Sequence, residues 1–131
     1  MENCLFCQIV NGQIPCHKIY EDEYTLAFLD ISNDTIGHTL VIPKPHAENI
    51  LDVDITSLNH VMKTTKLICE HYKTLGFNGI NIQNNNGSVA GQSVFHLHVH
   101  IIPRGISKES LIKLNLKHSN NDLESISKVF L

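Results

Sequence analysis

Long apolar runs are missing from this chain of 131 residues. Nothing approaches the ~18 residues of a membrane helix; the longest stretches, such as residues 40–43, are strand-sized. The first residues, Met1-Glu2-Asn3-Cys4, lack the basic flank and apolar core of a signal peptide, so a cytoplasmic setting is expected. Charge is also scarce, at 18% of residues and a net −3. Residues 104–131 carry five basic against three acidic side chains, a mildly basic tail. That falls short of a concentrated basic face, and neither nucleic acid nor a membrane is expected as a partner. With 42% hydrophobic residues, wholesale disorder is excluded. Repeats, low-complexity tracts and linker-like shifts are absent. The 14.7 kDa chain suits one domain over residues 1–131, burying roughly two-thirds of its extended surface.

What the chain does have is histidine: nine, three of them within five residues. It also has four cysteines, which in a cytoplasmic chain read as thiols or metal ligands rather than disulfides. Leu5–Val10, followed by Asn11-Gly12, reads as a short helix. Residues 18–20 and 25–29 read as strands around the acidic turn Glu21-Asp22-Glu23. After the polar, turn-rich residues 30–37, residues 38–42 read as a strand stopped by Pro43-Lys44-Pro45. Apolar spacing of three and four predicts one long helix over residues 54–75, with Asp54 as cap and Gly76 as terminator. Residues 79–85 alternate as a half-polar strand, and 94–102 form the most β-like stretch. Residues 123–129 suggest a last short helix. The order predicts an α+β fold: an antiparallel sheet with one long and one or two short helices.

In His96-Leu97-His98-Val99-His100-Ile101-Ile102, strand geometry sends the three imidazoles to one face and Phe95, Leu97, Val99 and Ile101 to the other. Alternate residues on a strand stand about 6.8 Å apart. At an effective dielectric near 20, two imidazolium charges there repel by roughly 2.4 kcal/mol, so the cluster holds one proton at most near neutrality. Neutral and protonated imidazoles together suit attack on an anionic phosphate. The preceding Gly87-Ser88-Val89-Ala90-Gly91-Gln92-Ser93 supplies backbone N–H groups, an amide and a hydroxyl beside that face. The same spacing also fits a solvent-exposed strand face or a metal cage.

The run Asn85-Asn86-Gly87, Ala90-Gly91-Gln92-Ser93 and His96-x-His98-x-His100-Ile101-Ile102-Pro103-Arg104 resembles the signature of the histidine triad (HIT) superfamily of nucleotide hydrolases and transferases. The likeness extends through Cys4-Leu5-Phe6-Cys7, Ala27-Phe28-Leu29-Asp30-Ile31 and Gly37-His38-Thr39-Leu40-Val41-Ile42-Pro43-Lys44, covering about residues 4–105. It is greatest with the branch of histidine-triad nucleotide-binding proteins. The resemblance implies that His98 attacks the α-phosphorus, forming a nucleotidyl-imidazole that water resolves. It implies a backbone carbonyl near the third histidine fixing the nucleophile's tautomer, with His100 and His38 near the α-phosphate. Ser93 matches a hydrogen-bond donor to the phosphate or leaving group and a proton relay; Asn85, Gln92 and the Gly91 backbone match phosphate contacts. Asp30 matches a ribose-binding carboxylate, and Phe6, Phe28, Ile31 and Leu40 match apolar walls around the base. Without the resemblance, Phe28, Ile31 and Leu40 read as core, Asp30 as a turn cap and Asn85-Asn86-Gly87 as a turn.

The Cys4-x-x-Cys7 spacing alone is half a zinc site. Small, chiefly bacterial, members of the superfamily carry such cysteines together with a histidine placed like His46. By that resemblance Cys4, Cys7, His46 and His96 would hold one structural zinc, with no catalytic cofactor. Cys16 and Cys69 read as small buried hydrophobes, and His17, His60, His71 and His118 match no motif position. The resemblance further implies a homodimer with residues 54–75 and 79–85 at its two-fold interface. The activity it implies is hydrolysis of purine nucleoside phosphoramidates such as AMP derivatives. Dinucleoside polyphosphate hydrolysis and regulatory nucleotide binding with little turnover are its alternatives, and a catalytic-zinc hydrolase is a third class. Residues 106–131 match no pattern and leave the physiological leaving group open.

Overall fold

A computed structural model of the chain describes residues 3–32 and 35–114. Its elements, in chain order, are α1 (Leu5–Val10), β1 (Lys18–Glu21), β2 (Thr25–Leu29), β3 (Thr39–Pro43), α2 (Ile55–Thr74), β4 (Gly79–Gln83), a 3-10 turn at Ser88–Ala90, β5 (Val99–Arg104) and α3 (Lys108–Lys113). The strands form one antiparallel sheet in the order β1-β2-β3-β5-β4, so the fold is α+β as expected.

Caps set the helices where the sequence places them. Asp54 accepts a hydrogen bond from the Ser57 N–H, satisfying one orphan donor of α2. Past its end the backbone turns at Gly76 with φ 107°, where a Cβ would sit 2.5 Å from Ser110 Oγ, so only glycine fits. Cys4 caps α1 through its sulfur, which accepts from Cys7 N–H at 3.3 Å. The unanticipated α3 is capped by Ser107, which accepts from Ser110 N–H. The helix expected over residues 123–129 lies outside the described residues.

Strands β2 and β3 are buried at every position because helices cover both faces of the sheet. On one face Ala27, Leu29, Val41, Val99 and Ile101 pack with Val61, Ile68, Tyr72 and Phe77. On the other, Leu26, Phe28, Leu40 and Ile42 pack around Phe6 of α1. His60, one of the histidines without a motif position, stacks on Tyr24 with ring centroids 3.8 Å apart.

Two strand boundaries differ from expectation, and both matter for the site. β4 ends at Gln83, leaving Asn85 beyond the ladder. β5 begins only at Val99, so residues 94–98 are not paired strand. Instead, Leu97 N–H donates to the Ala47 carbonyl at 2.7 Å, pinning this stretch outside the ladder. Phe95, assigned by alternation to the face opposite the imidazoles, lies outside the ladder and is 43% exposed.

Candidate active site and metal cluster

Antiparallel partners share a sheet face, and the pair Leu40↔His100 therefore places His100 on the Phe6 side. Phe6 packs edge-on against Phe28 at 5.4 Å between ring centroids and against His98 at 5.2 Å. Phe6, Phe28 and Leu40, the expected base walls, are buried together there. Ile31 does not join them: it is 79% exposed on the loop after β2.

His98 is buried, and its Nδ1–H donates to the His96 carbonyl at 2.7 Å. The tautomer-fixing carbonyl is thus that of the first triad histidine, not one near the third. The bond leaves the Nε2 lone pair available. Burial pushes the His98 pKa below its ordinary value, against the opposing pull of the His96 carbonyl and the Asp30 carboxylate. Burial thus favours the neutral imidazole.

Beside it, His100 Nδ1 and His38 Nε2 lie 2.9 Å apart, sharing one proton, and His38 Nδ1 stands 3.6 Å from Asp30 Oδ2. Asp30 also accepts from the Ser32 N–H and hydroxyl, so it serves as turn cap and faces His38 at once. Ring centroids of His98 and His100 are 5.0 Å apart. At the same effective dielectric, charging both would cost about 3.3 kcal/mol, more than regular strand spacing predicts.

The glycine-rich loop is less open than expected. Gly87 and Gly91 both take φ 93°, a left-handed conformation that favours glycine. The N–H groups of Ala90, Gly91 and Gln92 donate back to the carbonyls of Gly87 and Ser88, closing the loop on itself. Gln92 is 4% exposed. Its Oε1 accepts from Gly87 N–H at 2.8 Å and Asn49 Nδ2 at 3.4 Å; its Nε2 donates to the carbonyls of Glu48 and Val94 at 2.7 and 3.1 Å. The Gln92 amide and the Gly91 N–H thus make these bonds within the protein, and the Gln92 side chain braces the loop. Ser93 is exposed and lines a cavity of about 790 Å³ with Cys4, Leu5, His46, Val94 and Phe95. Asn85 is half-buried, accepts from Gln83 Nε2 at 3.0 Å and abuts Gly91.

The third imidazole turns to a different task. His96 Nε2–H donates to the Pro43 carbonyl at 2.8 Å, which points the Nδ1 lone pair at Cys4 Sγ, 3.3 Å away, and Cys7 Sγ, 3.5 Å away. His46 Nδ1 is 3.4 Å from Cys7 Sγ, and all four ligand atoms lie within 4.8 Å of one another. A tetrahedron with 2.3 Å metal–sulfur and 2.0–2.1 Å metal–nitrogen bonds has sulfur–nitrogen edges of about 3.5 Å, so these residues fit a metal ion. Chiefly through burial, the His96 pKa falls to about 4, which keeps the imidazole in its ligating form. Cys16 and Cys69 stand apart as free thiols, their pKa raised by burial. Sequence reasoning misplaced the carbonyl that fixes the His98 tautomer and overlooked both the Pro43 carbonyl, which carries no side-chain signal, and Asn84, whose Nδ2 donates to the His98 carbonyl at 2.9 Å.

Residues 11–106 match the HIT domain family. An uncharacterized HIT-like protein of Methanocaldococcus jannaschii is 47% identical over 125 residues, covering 95% of this chain and 96% of its own. The adenosine 5'-monophosphoramidase hnt1 of Schizosaccharomyces pombe is 42% identical over 102 residues, 78% of this chain and 74% of that protein. Among solved structures, a zinc-bound histidine triad family protein from Mycobacterium smegmatis superposes with a TM-score of 0.85 at 35% identity, covering 98% of this chain and 91% of that one. On this extent of sequence and structural likeness, the chain belongs to the HIT domain family.

Proposed function

We propose that this protein is a nucleotidyl hydrolase that cleaves purine nucleoside phosphoramidates at the α-phosphate through a nucleotidyl-His98 intermediate. The observation that carries the reading is the buried His98 ring, held by its Nδ1–H on the His96 carbonyl so that Nε2 is a free nucleophile. His98 Nε2 forms a bond to phosphorus as the bond to the leaving group breaks, and Ser93 hands that group a proton. Water then attacks phosphorus and returns a proton to Ser93, and the imidazole departs with its lone pair restored. His38 and His100, hydrogen-bonded to each other and next to Asp30, stand beside the phosphate. Phe6, Phe28 and Leu40 wall the base, and Asp30 is within the same group for the ribose hydroxyls. The fission-yeast relative, by its name an adenosine 5'-monophosphoramidase, supports this substrate class.

Cys4, Cys7, His46 and His96 would hold zinc, which in a closed four-ligand site would brace α1 against the residues before β5 and stay outside the reaction. The mycobacterial zinc-bound structure supports this ion and the bacterial-type subgroup. A homodimer through α2 and β4 is supported by the exposed Met62, Leu67 and Ile82 and by the position of β4 at the sheet edge, unpaired among the described residues. A cytoplasmic setting is supported by four cysteines that form no disulfide.

The test is rapid quench with a labelled adenosine phosphoramidate, which should trap adenylyl label on His98. His98→Asn should keep much of the AMP affinity and lose several orders of magnitude in turnover. Near-normal turnover in that variant, or label on another residue, refutes the assignment.

A further inference from the structure

At His98 the sheet offers the nucleophile no ladder on the β4 side, because the last β4–β5 pair is Gln83↔His100. One hydrogen bond fills that gap. Asn84, the first residue past β4, turns its amide so that Nδ2 donates to the His98 carbonyl at 2.9 Å, replacing the backbone donor that pairing would have supplied. The amide is itself held. Asn86 Nδ2 donates to Asn84 Oδ1 at 2.6 Å, and Asn86 Oδ1 accepts from the Ile50 N–H at 2.8 Å. The segment carrying Ile50 is fastened in turn: Asn49 Oδ1 accepts from Leu51 N–H, and Asp52 accepts from the N–H groups of Glu48 and Asn49. Asn49 Nδ2 reaches Gln92, which braces the glycine-rich loop.

We propose that Asn84 and Asn86 are positioning residues that set the approach of the His98 imidazole to phosphorus through the His98 carbonyl. This rests on His98 being the nucleophile. The geometry is directional. His98 is held at its ring by the His96 carbonyl and at its backbone by Asn84, two bonds that together fix where Nε2 points. Loss of the Asn84 bond frees the backbone on one side while the ring bond persists, so the imidazole keeps its tautomer but not its aim. Asn86 acts only through Asn84, whose amide it holds in the donating orientation. Misplacement of a reacting atom by about 1 Å costs on the order of 10²-fold in rate, with binding left nearly intact. The sequence disguises this role, since Asn84 falls in the half-polar strand read over residues 79–85 and Asn85-Asn86-Gly87 reads as a turn.

The experiment is single-turnover adenylylation of the full chain by a labelled adenosine phosphoramidate. Burst amplitude and burst rate are read separately, beside AMP affinity. Asn84→Ala should form the His98 adduct at full amplitude, with its rate constant lowered roughly 10- to 100-fold and AMP binding within about twofold. A merely structural role would instead lower the amplitude, as misfolded molecules drop out, and leave the rate of the remainder unchanged. Asn86→Asp keeps the acceptor for Ile50 N–H and loses only the donor to Asn84. It should slow the burst less than Asn84→Ala and add nothing in the double variant, because both changes break one chain of bonds. It also serves as the test if Asn84→Ala does not fold. A wild-type burst rate in both single variants, or additive losses in the double variant, overturns the proposal while His98 stands. Absence of any His98 adduct in the wild type overturns the nucleophile assignment and this inference together.

Discussion

Replacing Gln92 with alanine tests whether this residue braces the loop or touches the phosphate. Its side chain is 4% exposed and spends both donors and its acceptor on the protein. Alanine leaves the Gly87 N–H and the carbonyls of Glu48 and Val94 without that partner. At about 1 kcal/mol for each lost bond, the direct loss is about 3 kcal/mol; the 3.4 Å contact to Asn49 adds little. Water entering the vacated space restores part of it, so the expected cost is about 2–3 kcal/mol. With an m-value of roughly 1.5 kcal/mol/M, the urea midpoint should fall by about 1–2 M at unchanged m. Gln92→Glu keeps the acceptor for Gly87 N–H but sets a carboxylate against two carbonyls, so at neutral pH it should be at least as damaging. Acid should partly relieve it, as the protonated carboxyl regains one donor. A Gln92→Ala variant within 0.5 kcal/mol of wild type, yet with a raised KM for nucleotide, would refute the brace and restore Gln92 as a phosphate ligand.

Elemental analysis of protein purified without added metal or chelator should find nearly one zinc per chain, and Cys4→Ala should lower stability more than the rate of the chemical step; a stably folded, metal-free protein would end the zinc reading. Sedimentation at micromolar concentration should report about twice 14.7 kDa, and a clean monomer would leave the exposed residues of α2 and β4 without a partner. Burial opposes ionisation of Asp22, but its bonds from the Tyr24 and Thr25 N–H groups, the Tyr20 hydroxyl and the Thr25 hydroxyl outweigh that and hold its carboxyl below the usual range. A lowered folded pKa stabilises above the unfolded value and ceases to as pH falls through the folded one. The deficit of Asp22→Asn measured by urea unfolding at pH 7 should therefore shrink below about pH 4, and a constant deficit would contradict this.

Where periodicity and a capping residue coincided, the sequence was explicit. Asp54, the three-and-four spacing and Gly76 define α2 to within a residue at each end, because a helix is specified locally. Strand ends were harder, since they depend on where a partner runs out. The alternation of residues 94–102 continues unbroken, yet β5 starts at Val99 because its neighbours supply no ladder earlier. Alternation likewise could not reveal that His96 turns to the cysteines while His98 and His100 stay with Phe6 and His38. That division depends on the Pro43 and His96 carbonyls, which every residue type carries and no pattern displays. The bonds of Gln92 and Asn84 to the backbone are hidden for a related reason: an amide looks the same in a sequence whether it meets solvent, phosphate or a buried backbone.

His96 does two jobs with two different parts of itself. Its ring belongs to the cysteine cluster, while its main-chain oxygen holds the His98 ring in one tautomer. Only the first of these depends on the residue being histidine. A chain of this fold could exchange all four side chains of that cluster and still present a correctly oriented His98, provided the backbone path between Pro43 and Val99 survives. Anchorage and reactivity, although two residues apart on one stretch of chain, are separately mutable.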